Sequence, residues 1–162
     1  MILVDKMTKA PLDNYDLAIL KALEQNGRIT VTELADRVGL SKTPCQIRMK
    51  RLESNGVIRG YTVIMDYGML DTNHIAFVQV RLSDTRAAAL AAFNRAVGAV
   101  SEIEECHMMA ADFDYILKVR TRDISSYREV LGETISELPY VSSTSTFVCM
   151  EAVKEHGQVF DE

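Results

Sequence analysis

The sequence predicts an α+β chain in two parts, an N-terminal winged helix-turn-helix followed by a C-terminal ferredoxin-like βαββαβ sandwich. Three observations lead there. Apolar residues recur at helical spacing in short runs up to Leu52, a basic cluster sits on the third of those runs, and beyond His74 the pattern switches to strand-type alternation interrupted by two helical stretches. The expected organisation is a helix-turn-helix part over residues 1–66 and a βαββαβ part over 74–162, joined by 67–73.

In the first part, Leu12, Ile19, Leu20 and Leu23 mark a helix that Asn26-Gly27 stops. Thr30-Val31-Thr32-Glu33 matches a capping box, and Val31, Leu34, Ala35 and Val38 follow at helical intervals to Gly39. Gly39 supplies the positive φ of a sharp turn. Ser41 is then expected to cap a third helix, with Pro44 in the first turn, where its missing amide is tolerated. Cys45, Met49 and Leu52 share one face of that helix, and the opposite arc holds Thr43, Gln46, Arg48, Lys50 and Arg51. Two short helices about a glycine turn, the second basic on its outer face, fit a helix that enters a DNA major groove. A small three-helix bundle with a solvated basic face fits the same pattern. Asn55-Gly56 ends the helix, and Val57 to Met65 alternates as the strand of a wing.

In the second part, Ala76, Val78, Val80 and Leu82 form the apolar face of a strand whose other face carries Ile75 and Phe77. A helix entered at Asp84 or Thr85 follows, with Leu90, Phe93 and Val97 inward. Strands are expected from Val100 to Met109, through Tyr115, Leu117 and Val119, and from Ser143 to Val153. A helix capped by Asp123 and stopped by Pro139 runs from Ile124 to Leu138. Both helices belong on one sheet face, and the other, uncovered by its own chain, calls for a second copy.

Charge and composition narrow the function. Hydrophobic residues make up 48% and charged residues 25% of the chain, a globular balance. The N-terminal MILV is too short to span a bilayer, as is every later apolar run, so a cytoplasmic protein without membrane partners is expected. Residues 1–66 carry 10 Lys/Arg against 8 Asp/Glu, whereas 67–162 carry 8 against 15, a weakly basic module joined to an acidic one. From Lys42 to Arg59, five cations face the single acid Glu53. Cys45, Cys106 and Cys149 form no CxxC, and His74, His107 and His156 lack ligand spacing, so no disulfide framework, metal or cofactor is expected. Cys106 and His107 are strand neighbours whose side chains diverge, no phosphate loop occurs, and no catalytic residue is assigned. The segment Ala110-Ala111-Asp112-Phe113-Asp114-Tyr115 is expected to join the two central strands and to bring two carboxylates together. These carboxylates either bind an amino acid's ammonium or satisfy local amides in a plain turn.

Leu12-Asp13-x-x-Asp16, Gly27-Arg28-Ile29, Glu33-Leu34-Ala35-x-x-Val38-Gly39-Leu40-Ser41, Arg48-x-x-Arg51-Leu52-Glu53, Glu105-Cys106-His107, Asp112-Phe113-Asp114-Tyr115 and Leu131-Gly132-Glu133 together resemble the Lrp/AsnC, or feast/famine, transcription regulators over almost the whole chain. The resemblance implies a DNA-binding regulator, associated with the nucleoid, that responds to an amino-acid effector bound between subunits. It also implies a hinge over 67–73, an effector-binding and oligomerisation domain over 74–162, and dimers that assemble further, often to tetramers or octamers. DNA contacts fall on Ser41, Lys42, Thr43, Gln46, Arg48, Lys50 and Arg51. The effector falls on Ala110, Ala111, Asp112, Asp114 and Tyr115, with Thr146 and Val148 on the neighbouring strand. Ala111 replaces a glycine usual before Asp-Phe-Asp, and Lys42 replaces a proline common after the cap serine. Ser41 to Gln46, Ser83 to Arg86 and Ser143 to Phe147 look like a proline-utilisation regulator subgroup, which activates proline dehydrogenase genes. A module whose helical part contacts protein rather than DNA is the alternative.

Overall fold

Helix α1 (Asn14–Gln25) begins where Asp13 and Asp16 cap each other. The Asp13 carboxylate accepts from the Asp16 amide at 2.9 Å, and Asp16 accepts from the Asp13 amide at 3.1 Å. Helix α2 (Val31–Val38) opens on the expected Thr30/Glu33 capping box. It closes at Gly39, whose left-handed φ of 72° lets the Leu40 amide reach the Ala35 carbonyl at 2.9 Å. Helix α3 (Lys42–Ser54) follows at once; Ser41 occupies the cap position but its side chain makes no capping bond. Ile19 and Ala22 of α1, Leu34 and Ala35 of α2, and Cys45 and Leu52 of α3 close a small core.

This computed structural model describes residues 11–155 and the backbone of 158–159; the N-terminal MILV and His156 lie outside the described residues. The chain divides into two compact units, Met1–Ile64 and Met65–Glu162. Among the described residues no helix is long and apolar enough to cross a membrane.

The wing strand expected over Val57 to Met65 does not form. The Val57 and Ile58 amides both turn back to the Leu52 carbonyl, at 2.9 and 3.1 Å, and Tyr61, Val63, Ile64 and Met65 are exposed. Among the described residues no second strand of the same unit lies alongside to take its hydrogen bonds, and alternation alone does not make a strand.

The second unit is an antiparallel sheet of β1 (His74–Leu82), β2 (Ile103–Met108), β3 (Tyr115–Thr121) and β4 (Val141–Val148) in the order β2-β3-β1-β4. This is the expected βαββαβ sandwich. Helices α4 (Ala87–Val97) and α5 (Ile124–Val130) both pack on one face. There Phe93 and Tyr127 meet Val78, Val80, Leu117 and Val119, all with little or no exposure. Residues 67–73, expected as a hinge, touch β3: the Tyr67 ring lies 3.7 Å from the Arg120 guanidinium, which also donates to the Thr72 carbonyl.

Several boundaries move for local reasons. The stretch expected as one helix to Leu138 widens after Val130 into a π-helical turn, Leu131–Ile135. Tyr127, Leu131 and Ile135 recur every four residues, a spacing that drifts around a helix of 3.6 residues per turn and that a wider turn keeps on one face. The last strand ends at Val148 rather than Val153. The chain then crosses the open sheet face: the Cys149 amide donates to the Ile75 carbonyl, and Glu155 reaches Lys118 and Arg120. Ile75 is thereby buried, and the expectation of a fully uncovered face is corrected to a half-covered one, with Phe77 and its cross-strand partner Phe147 exposed. Lys118, Arg120, Glu104 and Glu155 form a largely buried ion network beneath that segment. Burial raises the Glu104 carboxyl, but Arg120 and Lys118 outweigh it and hold it below its ordinary value.

Helix α4 starts at Ala87, later than Asp84 or Thr85, because Asp84 is occupied with Arg86. Its carboxylate accepts from the Arg86 amide at 2.9 Å and from the guanidinium at 2.6 Å. Those bonds lower the Asp84 carboxyl to about 2. A carboxyl depressed by folding stabilises the native state above its unfolded value of about 3.9, and the contribution disappears as pH falls through the folded value. Carbon-detected NMR titration should therefore place the Asp84 midpoint near 2, and Arg86→Ala should return it toward 3.9; an unshifted native midpoint would contradict the turn described.

Candidate nucleic-acid interface and effector loop

Helix α3 divides its side chains by exposure and by ion pairing. Thr43, Gln46, Ile47 and Lys50 stand at i, i+3, i+4 and i+7, all exposed, with Ser41 and Lys42 at the N-terminal end of the same helix. Ile47 is 63% exposed. Sequence pattern passed it over because an isoleucine reads as core. Its signal is that it falls outside the Cys45, Met49 and Leu52 stripe. A polar row with one apolar member and a terminal lysine has the groups that read base edges and thymine methyls in a major groove.

Arg48 and Arg51 are placed differently. The Asp16 carboxylate has no solvent exposure and accepts from Arg48 Nη1 at 2.9 Å and from Arg51 Nη2 at 2.5 Å. Arg48 Nη1 also reaches Asp13 at 2.6 Å, and its guanidinium lies 5.4 Å from the Tyr15 ring. The Asp16 amide, and then Arg48, hold the Asp13 carboxyl below its ordinary value. Two of the cations assigned to an outward face thus tie α3 to the start of α1. The sequence contains this signal as two acids three apart opposite two arginines three apart, but periodicity alone does not pair them.

The effector residues are only partly brought together. Strand β2 is an edge strand, so the loop after it joins an edge to a central strand rather than two central strands. Strand β1 also lies between β3 and β4, so Thr146 and Val148 are not on the strand next to Tyr115. Asp114 accepts from the Leu82 amide at 2.7 Å, and its own amide donates to the Val80 carbonyl at 2.9 Å, so it is held by β1 rather than by amides of its own turn. Asp112 is open to solvent and pairs with Arg81 at 3.1 Å. Tyr115 is buried in the helix-side core, its ring 4.6 Å from Phe93, and Thr146 is bonded to the Tyr127 hydroxyl at 2.5 Å. Ala110 and Ala111 are exposed. The non-glycine residues with positive φ among those described are Asp71 and Tyr140, so Ala111 needs no glycine-like backbone. Cys106 packs against the core while His107 points out and meets Glu105 at 3.1 Å, which separates the two as alternation requires.

A helix-turn-helix unit joined to a four-stranded sheet unit with a solvent-facing charged loop defines a DNA-binding regulator with its own ligand domain. Residues 12–59 match the winged helix-turn-helix DNA-binding family, and residues 75–159 match the Lrp/AsnC ligand binding domain. The chain belongs to the Lrp/AsnC family of transcriptional regulators, and is a regulator rather than an enzyme. It is 58% identical over 146 residues to a proline dehydrogenase transcriptional activator of Rhizobium radiobacter, covering 90% of this chain and 94% of that one. It is 45% identical to the leucine-responsive regulatory protein of Escherichia coli K12 over 148 residues, covering 91% and 90%. A Neisseria meningitidis transcriptional regulator solved with L-Met superposes with a TM-score of 0.83 at 28% identity, over 90% of this chain and 94% of that one.

Proposed function

We propose that this regulator docks α3 in the major groove through Ser41, Lys42, Thr43, Gln46, Ile47 and Lys50, and that Arg48 and Arg51 brace the helix from behind. The exposed row on α3 carries this reading. A basic residue in contact with a phosphate releases counterions on binding, so log affinity falls with log salt by about 0.9 per contact. Lys50→Gln should make that slope shallower by about 1 in a filter-binding titration, with circular dichroism unchanged. A native slope in the folded variant would remove Lys50 from the interface.

The sheet unit is proposed to bind a free amino acid at the loop 110–114, with Asp112 facing the ammonium, Arg81 facing the carboxylate and Asp114 holding the loop in shape. Support comes from the exposed opposite charges 3.1 Å apart and from the ligand domain's family. Proline heads the candidates because of the Rhizobium relative's name, and proline-catabolic genes are the proposed targets, read at the nucleoid in the cytoplasm. Calorimetry with proline, leucine, methionine, lysine and glutamine should find one binder, and Asp112→Ala should weaken it more than tenfold, the value of a charged hydrogen bond of about 1.5–3 kcal/mol. Heat from none of the five would contradict the loop as an amino-acid site.

Self-association is proposed to cover what the chain leaves open on the sheet. Phe77 and Phe147 sit side by side and exposed on that face. Light scattering at micromolar concentration should give a mass at least twice 18.1 kDa without DNA; an 18.1 kDa species alone would refute it.

A further inference from the structure

We propose that Asp16 is a positioning residue that withholds Arg48 and Arg51 from DNA, and so limits how tightly the protein holds sequences it is not meant to read. The inference rests on the α3 docking described above and goes beyond it by assigning a role to a residue that touches no DNA.

The geometry supports a withholding role more than a simple brace. One fully buried carboxylate takes both guanidiniums, one on each oxygen, and Asp13 takes a second bond from Arg48. Two acids and two arginines form a neutral cluster, so the pair contributes little net field at the α3 surface. The exposed cations of α3 that lie outside this cluster are Lys42 and Lys50, interspersed with Thr43, Gln46 and Ile47. Contacts to phosphate are the same at every sequence, whereas contacts to base edges are not. Taking two arginines out of the phosphate-binding set lowers affinity for random DNA while leaving the base-reading row in place. Arg51 remains 42% exposed at its side chain, near enough to solvent to reach phosphate if Asp16 released it.

Asp16→Asn keeps the shape and an oxygen that accepts from the Asp13 amide, so the α1 cap survives while the charge that holds the arginines is lost. On a random-sequence 30-base-pair duplex, the expected result is a log affinity–log salt slope steeper by about 1 to 2 than the native slope. Arg51→Gln should then reduce the slope by about 1 in the Asp16→Asn background and leave it unchanged in the native background. A general rise in positive charge, or a structural role for Asp16, would not produce that dependence on background. A native slope in folded Asp16→Asn, or a slope reduced by about 1 in folded Arg51→Gln alone, overturns the proposal. If Asp16→Asn fails to fold, Arg51→Gln in the native background decides by itself. An unchanged slope in Lys50→Gln would overturn the docking and this proposal together. A reduced slope in both Lys50→Gln and Arg51→Gln would overturn this proposal alone.

Discussion

A carboxylate removed from water must be neutralised by its neighbours, and at Asp16 that requirement fixes the architecture of the DNA-binding unit. Its two oxygens are satisfied by a backbone amide of the α1 cap and by two guanidiniums of α3. The same side chain therefore starts one helix and orients another. Leaving such a buried charge without its partner costs on the order of 3–5 kcal/mol, a large fraction of what a core of six small and medium apolar residues supplies. Helix α3 is held by directional contacts from Arg48 and Arg51 and by the packing of Cys45 and Leu52 on either side of them in sequence. Apolar packing alone would allow it to rotate; the bonds to Asp16 do not.

The sheet unit uses the same principle on its open face. Lys118 and Arg120 point away from the helices, where an uncovered sheet would leave them in water, and Glu104 from β2 and Glu155 from the C-terminal segment close over them. Buried ion networks add little stability over apolar packing of equal volume, but a shifted register would strand a charge. The network sits on the half of the face that the chain covers itself, and the aromatic pair Phe77 and Phe147 sits on the half it does not. The division separates a surface specified by charge from one specified by shape.

Helix signals were legible in the sequence wherever a side chain acts on its own backbone. The Thr30/Glu33 box, Gly39, the Asp123 cap and the stop at Asn55 all lie where short-range chemistry places them. The run of strands and helices and the helix-facing positions of β1 followed from period and element order, whereas the order of the strands across the sheet did not. What was not legible depends on partners distant in sequence. The wing alternates without a strand to pair with, Ile75 is buried by a segment more than seventy residues later, and Arg48 and Arg51 look like surface cations until Asp16 is placed beside them. The effector residues divide for the same reason: Tyr115 and Asp114 are adjacent, but one enters the core and the other holds a turn.

The bond from the Leu82 amide to Asp114 lies at the point where the β1–β4 register shifts, between Arg81 and Leu82. At such an irregularity the ladder is locally interrupted and the strand bends. Arg81, on the other side of the shift, holds Asp112, so the loop grips both ends of the irregularity. Ser83, next along the chain, donates to Tyr140, a non-glycine residue with left-handed φ at the entrance to β4. Loop, bulge and left-handed turn are thus bonded in series, from the two aspartates through Arg81, Leu82 and Ser83 to the start of the edge strand β4.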